Sequence, residues 1–302
     1  MQLLLSLLFV VVAGSAFAQN NRSAVSVNGL DTNSCATTAP CRSFSVAVAH
    51  TNPGGEVIAF DSGGFGSFVV TQPITVSGAP GVHAAVTTSS GNAISVSAGP
   101  GDEVVLRNLV VLAAGSATNG ISISGAKSVH VLNCLVSGFA GGGGVSINGT
   151  GAETLMDYLV AQQNGVGVLI NTSALVFVRI TNSKIDDNLG AGIDVFNDVK
   201  AVASNTSLSG NAYGVRLQST LSTTADMTLD HCIVSSNGVG IYAANPDVNS
   251  RAVVRLYGNV ISYNIGPGVQ TTAATAYTYG NNALSANNPD VSGAALTPLA
   301  QN

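Results

Sequence analysis

From about Gly54 to Asn288 the chain alternates short apolar runs with Asn, Gly, Ser and Thr. Long amphipathic helices would need many more Glu, Lys and Arg than this chain has. One apolar run is written almost twice: "NGVGVLI" from Asn164 and "NGVGIYA" from Asn237. The glycine inside this run recurs at Gly120, Gly144, Gly167, Gly192, Gly214, Gly240 and Gly268, at intervals of 24, 23, 25, 22, 26 and 28. An asparagine column runs in parallel at Asn164, Asn188, Asn211, Asn237 and Asn264. A third column, earlier in each unit, starts at Leu106, Leu132, Ile180, Ser204, Leu229 and Leu256.

A period in the twenties implies stacked units, each too small to bury its own apolar face. Leucine-rich repeats share the period, but their L-x-x-L-x-L-x-x-N/C-x-L pattern is absent. Runs such as "VGVLI" and "ALVFVRI", separated by Asn or Gly, predict three short strands per coil, paired in parallel from coil to coil. Asn and Gly suit the left-handed backbone of a sharp turn, and a stacked Asn column can hydrogen-bond along the stack.

These motifs resemble the right-handed parallel β-helix repeats of the pectin-lyase-like superfamily. The resemblance implies an all-β solenoid, here of about ten coils, with a short N-terminal capping helix. The segment "VNGLDTNSCATTAPCRSFSVAVAH" is similar to the N-terminal cap of secreted β-helix proteins: Gly29, Asp31 and Asn33 form a G-x-D-x-N loop, followed by Pro40 and a helix over roughly Phe44 to His50. The expected organisation is a signal peptide over residues 1–18, a cap over 19–53, the β-helix over 54–292 and a tail over 293–302.

Composition narrows the function. Charged residues are 8% of the 302, against about 25% in ordinary domains, and β-branched residues, Gly and Asn dominate. The net charge of −5 and the absence of a basic run argue against a nucleic-acid partner. Leu3 to Ala13 is apolar and Ala16-Phe17-Ala18 fits a cleavage site before Gln19, although no Lys or Arg precedes the apolar run. No second run is long enough to span a membrane. Export to the periplasm, cell surface or medium is expected. In such a compartment Cys35 and Cys41 are expected to bridge, while Cys134 and Cys232 read as small core hydrophobes.

The superfamily includes lyases, hydrolases, esterases, tailspikes, adhesins and proteins without activity, so function must come from a site. Of the polygalacturonase signature only the acidic pair Asp186-Asp187 is present, and a solvated turn explains that pair as well. The esterase motifs, a P-loop and a G-x-S-x-G nucleophile are missing, and His50, His83, His130 and His231 lack ligand spacing. Val176 to Lys200 is the densest charged stretch, with Arg179, Lys184, Asp186, Asp187, Asp194, Asp198 and Lys200. A lyase would use such acids around Ca²⁺ with a basic residue beside them, and Arg216, Asp230, Arg251 and Arg255 would extend the patch. The blander reading is a set of surface ion pairs that keep the solenoid soluble. Six of the seven tyrosines fall late, at Tyr213, Tyr242, Tyr257, Tyr263, Tyr277 and Tyr279. They are expected to stack in the coil interior, with a Tyr-lined outer face as the sharper alternative. The sequence therefore points to a non-catalytic extracellular protein, binding cell-surface or other glycan or serving a structural role, without cofactor. The alternative is a polysaccharide lyase or hydrolase with a divergent site in Val176 to Lys200, the lyase being the only reading that calls for Ca²⁺.

Overall fold

The computed structural model describes residues 20–149, 153–220 and 222–300; the signal-peptide stretch, residues 1–18, lies outside them. Every strand pairing between coils is parallel, and the coils stack as a β-helix with three faces. Face A holds strands such as Gly143–Ile147, Tyr213–Gln218 and Val239–Ala244. Face B holds Glu103–Arg107, Ser128–Leu132, Glu153–Asp157, Thr224–Asp230 and Arg251–Tyr257. Face C holds the shortest strands, including Val160–Gln162, Lys184–Asp186, Ser207–Ser209 and Ile233–Ser235. The longer strands Val166–Thr181 and Ala191–Ser204 bend from face A into face B.

Alternation sets inside and outside. On face A, Val168, Ile193, Val215, Ile241 and Val269 pair coil by coil and are buried, as are Ile170, Val195, Leu217 and Ala243 one step further along. Stacking these columns removes the apolar stripe of each coil from water, at about 25 cal/mol per Å² buried.

The asparagine column is a hydrogen-bonded ladder. Asn164, Asn188, Asn211, Asn237 and Asn264 are all buried, and each donates both its backbone N–H and its side-chain amide to the Oδ1 of the next, at 2.9–3.2 Å. The column continues to Asn287, whose N–H and Nδ2 end on the Oδ1 of Asp290. The left-handed residue is the one before each ladder Asn: Gln163, Asp187, Gly210, Ser236 and Tyr263 have φ between 55° and 69°. At this turn the ladder Asn supplies the hydrogen bonds and its predecessor the left-handed backbone; the expected left-handed Asn occurs at another corner, at Asn108, Asn133, Asn182 and Asn205. The repeated glycines serve close approach instead. A Cβ on Gly167 would meet Ile185 Cγ2 at 2.3 Å and the carbonyl oxygen of Gly192 at 2.6 Å.

The N-terminal motif has a physical role at each residue. The Asp31 carboxylate accepts the backbone N–H groups of Arg42 and Ser43 at 2.9 Å, and Asn33 Nδ2 donates to the Pro40 carbonyl at 2.8 Å. Ser43 caps the helix Phe44–Ala49, and the Phe44 ring packs against Phe65 and Phe68, covering the first coil. Cys35 and Cys41 form a disulfide and are buried. The strand column begins earlier than residue 54, because Asn20–Val25 pairs in parallel with Thr51–Ala59. It ends later than 292, at Thr297–Pro298 against Tyr277 and Thr278.

Candidate binding groove on face B

Charge is not spread evenly over the three faces. Arg22, Arg107, Arg179, Lys200, Arg251 and Arg255, six of the ten Lys and Arg, lie on face B strands. So do Glu56, Glu103, Glu153, Asp157, Asp226 and Asp230. Among the described residues, the strands of face A carry only Asp194 and Arg216, and those of face C only Lys184 and Asp186. One outward row of face B runs through His130, Leu155, Arg179, Val202, Thr228, Arg255 and Tyr277, each paired with the next. The adjacent outward row carries Phe177, Lys200 and Asp226.

Most of these charges are neutralised. Glu56 holds Arg22 and Arg107 at 3.0 and 2.9 Å, Glu103 holds Lys127 at 2.9 Å, and Asp226 holds Arg255. The Lys127 bond lowers the Glu103 pKa and raises that of Lys127, but both groups are exposed. Three of the face B cations, Arg179, Lys200 and Arg251, have no carboxylate partner among the described residues. Arg179 and Lys200 share one groove, where Lys200 lies 5.7 Å from the centre of the exposed Phe177 ring. These two cations and Phe177, with Glu153, Asp226, Val202 and Thr228, line an open groove of about 390 Å³.

The six residues weighed for catalysis do not form one site. Arg179 is on face B, Lys184 and Asp186 are on face C, and Asp187 is the left-handed turn residue after them. The Asp186 carboxylate accepts from the Ser207 hydroxyl at 3.0 Å and the Ser209 N–H at 2.8 Å. Asp194 lies on face A, 1% exposed beneath Arg216, whose Nε donates to it at 2.8 Å. Burial pushes its carboxyl above the usual range, against the Arg216 bond and charge. Asp198 sits at the bend between faces A and B and accepts the Thr224 N–H at 3.1 Å. No group of three or more His, Cys, Asp or Glu that could hold a metal ion occurs among the described residues.

The tyrosines correct the interior reading. None of the six late ones is buried. A large ring at an outward position of a strand lies on the surface, and there Tyr213 packs on Tyr242, and Tyr257 on His231 and Tyr279. Tyr277 lies against Arg255, carrying the aromatic surface into the face B row.

A family model described as "Right handed beta helix region" matches residues 164–301. Solved structures agree over most of the chain. The alginate lyase from Paenibacillus sp. str. FPU-7 superposes with a TM-score of 0.67 at 16% identity, over 91% of this chain and 99% of that one. Pectate lyase Pel9A gives 0.57 at 16% identity, over 93% and 77%. The A-module of the Azotobacter vinelandii mannuronan C-5 epimerase AlgE4 gives 0.52 at 15%, over 82% and 89%. No curated protein matches the sequence. The chain is a right-handed parallel β-helix, and these likenesses concern the fold. No helix among the described residues is long and apolar enough to cross a membrane, and the disulfide fits an oxidising, extracellular setting.

Proposed function

We propose that the protein is an extracellular, non-catalytic module that holds a carboxylate-bearing polysaccharide along face B. The observation that carries this reading is the pair Arg179 and Lys200, two exposed cations without carboxylate partners, beside the open ring of Phe177 in one groove. A sugar ring presents an apolar face suited to an aromatic platform. A uronate carboxylate suits the Arg179 guanidinium, which can donate two parallel N–H bonds, and Lys200 supplies a second point charge. Strands at about 4.8 Å spacing give the groove a long, flat floor that an extended polymer can follow. The solved relatives include lyases of pectate and alginate and an epimerase of mannuronan, which supports a polysaccharide as ligand.

The non-catalytic part rests on the groove's acids. Asp226 is engaged by Arg255, which leaves Glu153 as the one lining carboxylate without a side-chain partner among the described residues. Hydrolysis of a glycosidic bond calls for a carboxyl pair, so this lining argues against a hydrolase, while a lyase, which needs a basic residue instead, is distinguished by the assay for new chain ends below.

Affinity electrophoresis tests the reading, with pectate, alginate and a neutral polymer such as galactomannan in the gel. The expected result is retardation by the acidic polymers that Arg179→Ala and Lys200→Ala each weaken several-fold and the double variant abolishes. Unretarded wild-type protein would overturn it. Release of new chain ends during incubation would replace it with the lyase or hydrolase reading.

A further inference from the structure

A second groove, of about 460 Å³, lies at the corner between faces B and C in the N-terminal half of the stack. Its floor is apolar, with Val110, Leu135 and Val160 in successive coils of face C. The loop through Pro80 and Val82 overhangs one side, and Asn108, Asn133 and Tyr158 form the other. None of the residues lining it is charged, in contrast to the face B groove.

Tyr158 stands out in this wall. The corner turn needs one left-handed residue per coil, and Asn fills it at 108, 133, 182 and 205, with φ of 50–54°. Asn tolerates this conformation, whereas a bulky aromatic residue adopts it rarely and at a cost. Tyr158 adopts it with φ 52° and leaves its ring 60% exposed. Beside it the amides chain along the corner: Asn133 Nδ2 donates to Asn108 Oδ1 at 2.9 Å, and Asn108 Nδ2 to the Gly78 carbonyl at 3.1 Å. These bonds fix the amide plane and leave the Asn133 Oδ1 as an exposed acceptor. An exposed ring, an apolar floor and oriented amides without charge together match one chemistry. That chemistry is an uncharged pyranose, whose C–H face packs on the ring while its hydroxyls meet the amides.

We propose that this corner groove is a second binding site, for a neutral glycan, with Tyr158 as its platform. It does not depend on the face B reading, since it shares no lining residue with that groove. Tyr158→Asn is the informative variant. It removes the ring yet places at 158 the residue that four other coils use in the same turn, so the fold is kept.

The chain lacks Trp and has seven Tyr, so tyrosine fluorescence reports binding directly. Wild-type protein and the Tyr158→Asn and Arg179→Ala variants would be titrated with cellohexaose, xylohexaose and mannohexaose, and affinities checked by calorimetry. The expected result is saturable binding of at least one hexaose, weakened tenfold or more in Tyr158→Asn and unchanged in Arg179→Ala. Retention of acidic polymer by Tyr158→Asn should equal that of wild type. No saturable binding of any hexaose to wild type would overturn the proposal, and so would Tyr158→Asn binding as well as wild type.

Discussion

The Oδ1 of Asn188 accepts two hydrogen bonds from Asn164, one from the backbone N–H and one from the side-chain amide, each at 3.1 Å. Both residues are buried, so neither donor has water as an alternative. Asn188→Ala would orphan both at once and remove the donors to the Ala161 and Asp186 carbonyls. An unmet buried polar group costs about 1–3 kcal/mol, so a loss of about 3 kcal/mol or more is expected. Urea unfolding measures it. The double variant Asn164→Ala/Asn188→Ala should cost clearly less than the sum of the singles, because the two share one interaction.

Asp194 and Arg216 make a different kind of pair. The carboxylate is on an outward position yet covered by Arg216, whose guanidinium also lies 5.5 Å from the Phe196 ring centre and 5.6 Å from that of Tyr213. Arg216→Met should cost about 3–5 kcal/mol at neutral pH, since it strands a buried anion. Burial without a partner raises the carboxyl pKa in the folded variant above its unfolded value. A raised acid pKa means the folded state binds the proton more tightly, so stability must rise as pH falls through the folded value toward the unfolded one. The deficit of Arg216→Met is therefore expected to shrink toward acid pH, and Asp194→Asn/Arg216→Met should remove that pH dependence. Denaturation at several pH values checks both.

What was legible in the sequence and what was not follows from the geometry of a solenoid. The Gly and Asn columns could be read because each coil meets the same neighbours, so Gly167 and Gly240, or Asn164 and Asn237, face identical demands. The site could not be read by local charge density. Val176 to Lys200 is one full circuit of the helix, so Arg179, Lys184, Asp186 and Asp194 are neighbours in sequence and point from three faces. Spatial neighbours lie one period apart, as Arg179, Val202, Thr228 and Arg255 do. Charges compared at the same phase of the repeat, rather than within a window, carry the signal for face B. The outward tyrosines and the left-handed residue before each Asn belong to the same class of feature, set by phase and strand alternation.

Cys134 and Cys232 occupy a further turn column, the residue after the corner turn, where later coils have Asn259 and Asn282. The Cys232 thiol donates to the Ala203 carbonyl at 3.2 Å, as the Asn259 amide does to that of Leu229 at 2.8 Å. Burial pushes the Cys134 thiol up to about 12 and that of Cys232 up to about 11. Neither forms thiolate at pH 8, and neither is accessible. A colorimetric disulfide reagent at pH 8 should find no reactive thiol in the folded, unreduced protein. In denaturant it should find two. A fast-reacting thiol in the folded state would contradict the placement of one of these residues.

Thr154 points into the core between Val129 and Val178, its partners in the adjacent coils, and its hydroxyl has no hydrogen-bond partner among the described residues. Exchanging that hydroxyl for a methyl keeps the shape and removes a buried polar atom. Thr154→Val is expected to stabilise the protein by about 1 kcal/mol, read as a higher urea midpoint at unchanged slope. A loss of stability would mean that the hydroxyl is satisfied in solution.

The face B groove makes a prediction about salt that separates its two components. Arg179 and Lys200 are exposed, so their attraction for a polyanion is screened as ionic strength rises, with a Debye length of about 10 Å at 0.1 M and about 3 Å at 1 M. Retardation by alginate or pectate should therefore fall steeply between about 50 mM and about 0.5 M NaCl. Arg179→Ala/Lys200→Ala should flatten that dependence, because little charge is left to screen. Phe177→Ala should lower retention by a similar factor at every salt concentration, since the contact of a sugar face with the ring, 49% exposed in the free protein, does not depend on counterions. Retention that is insensitive to salt in the wild type would remove the two cations from the binding surface and leave the ring as its main contact.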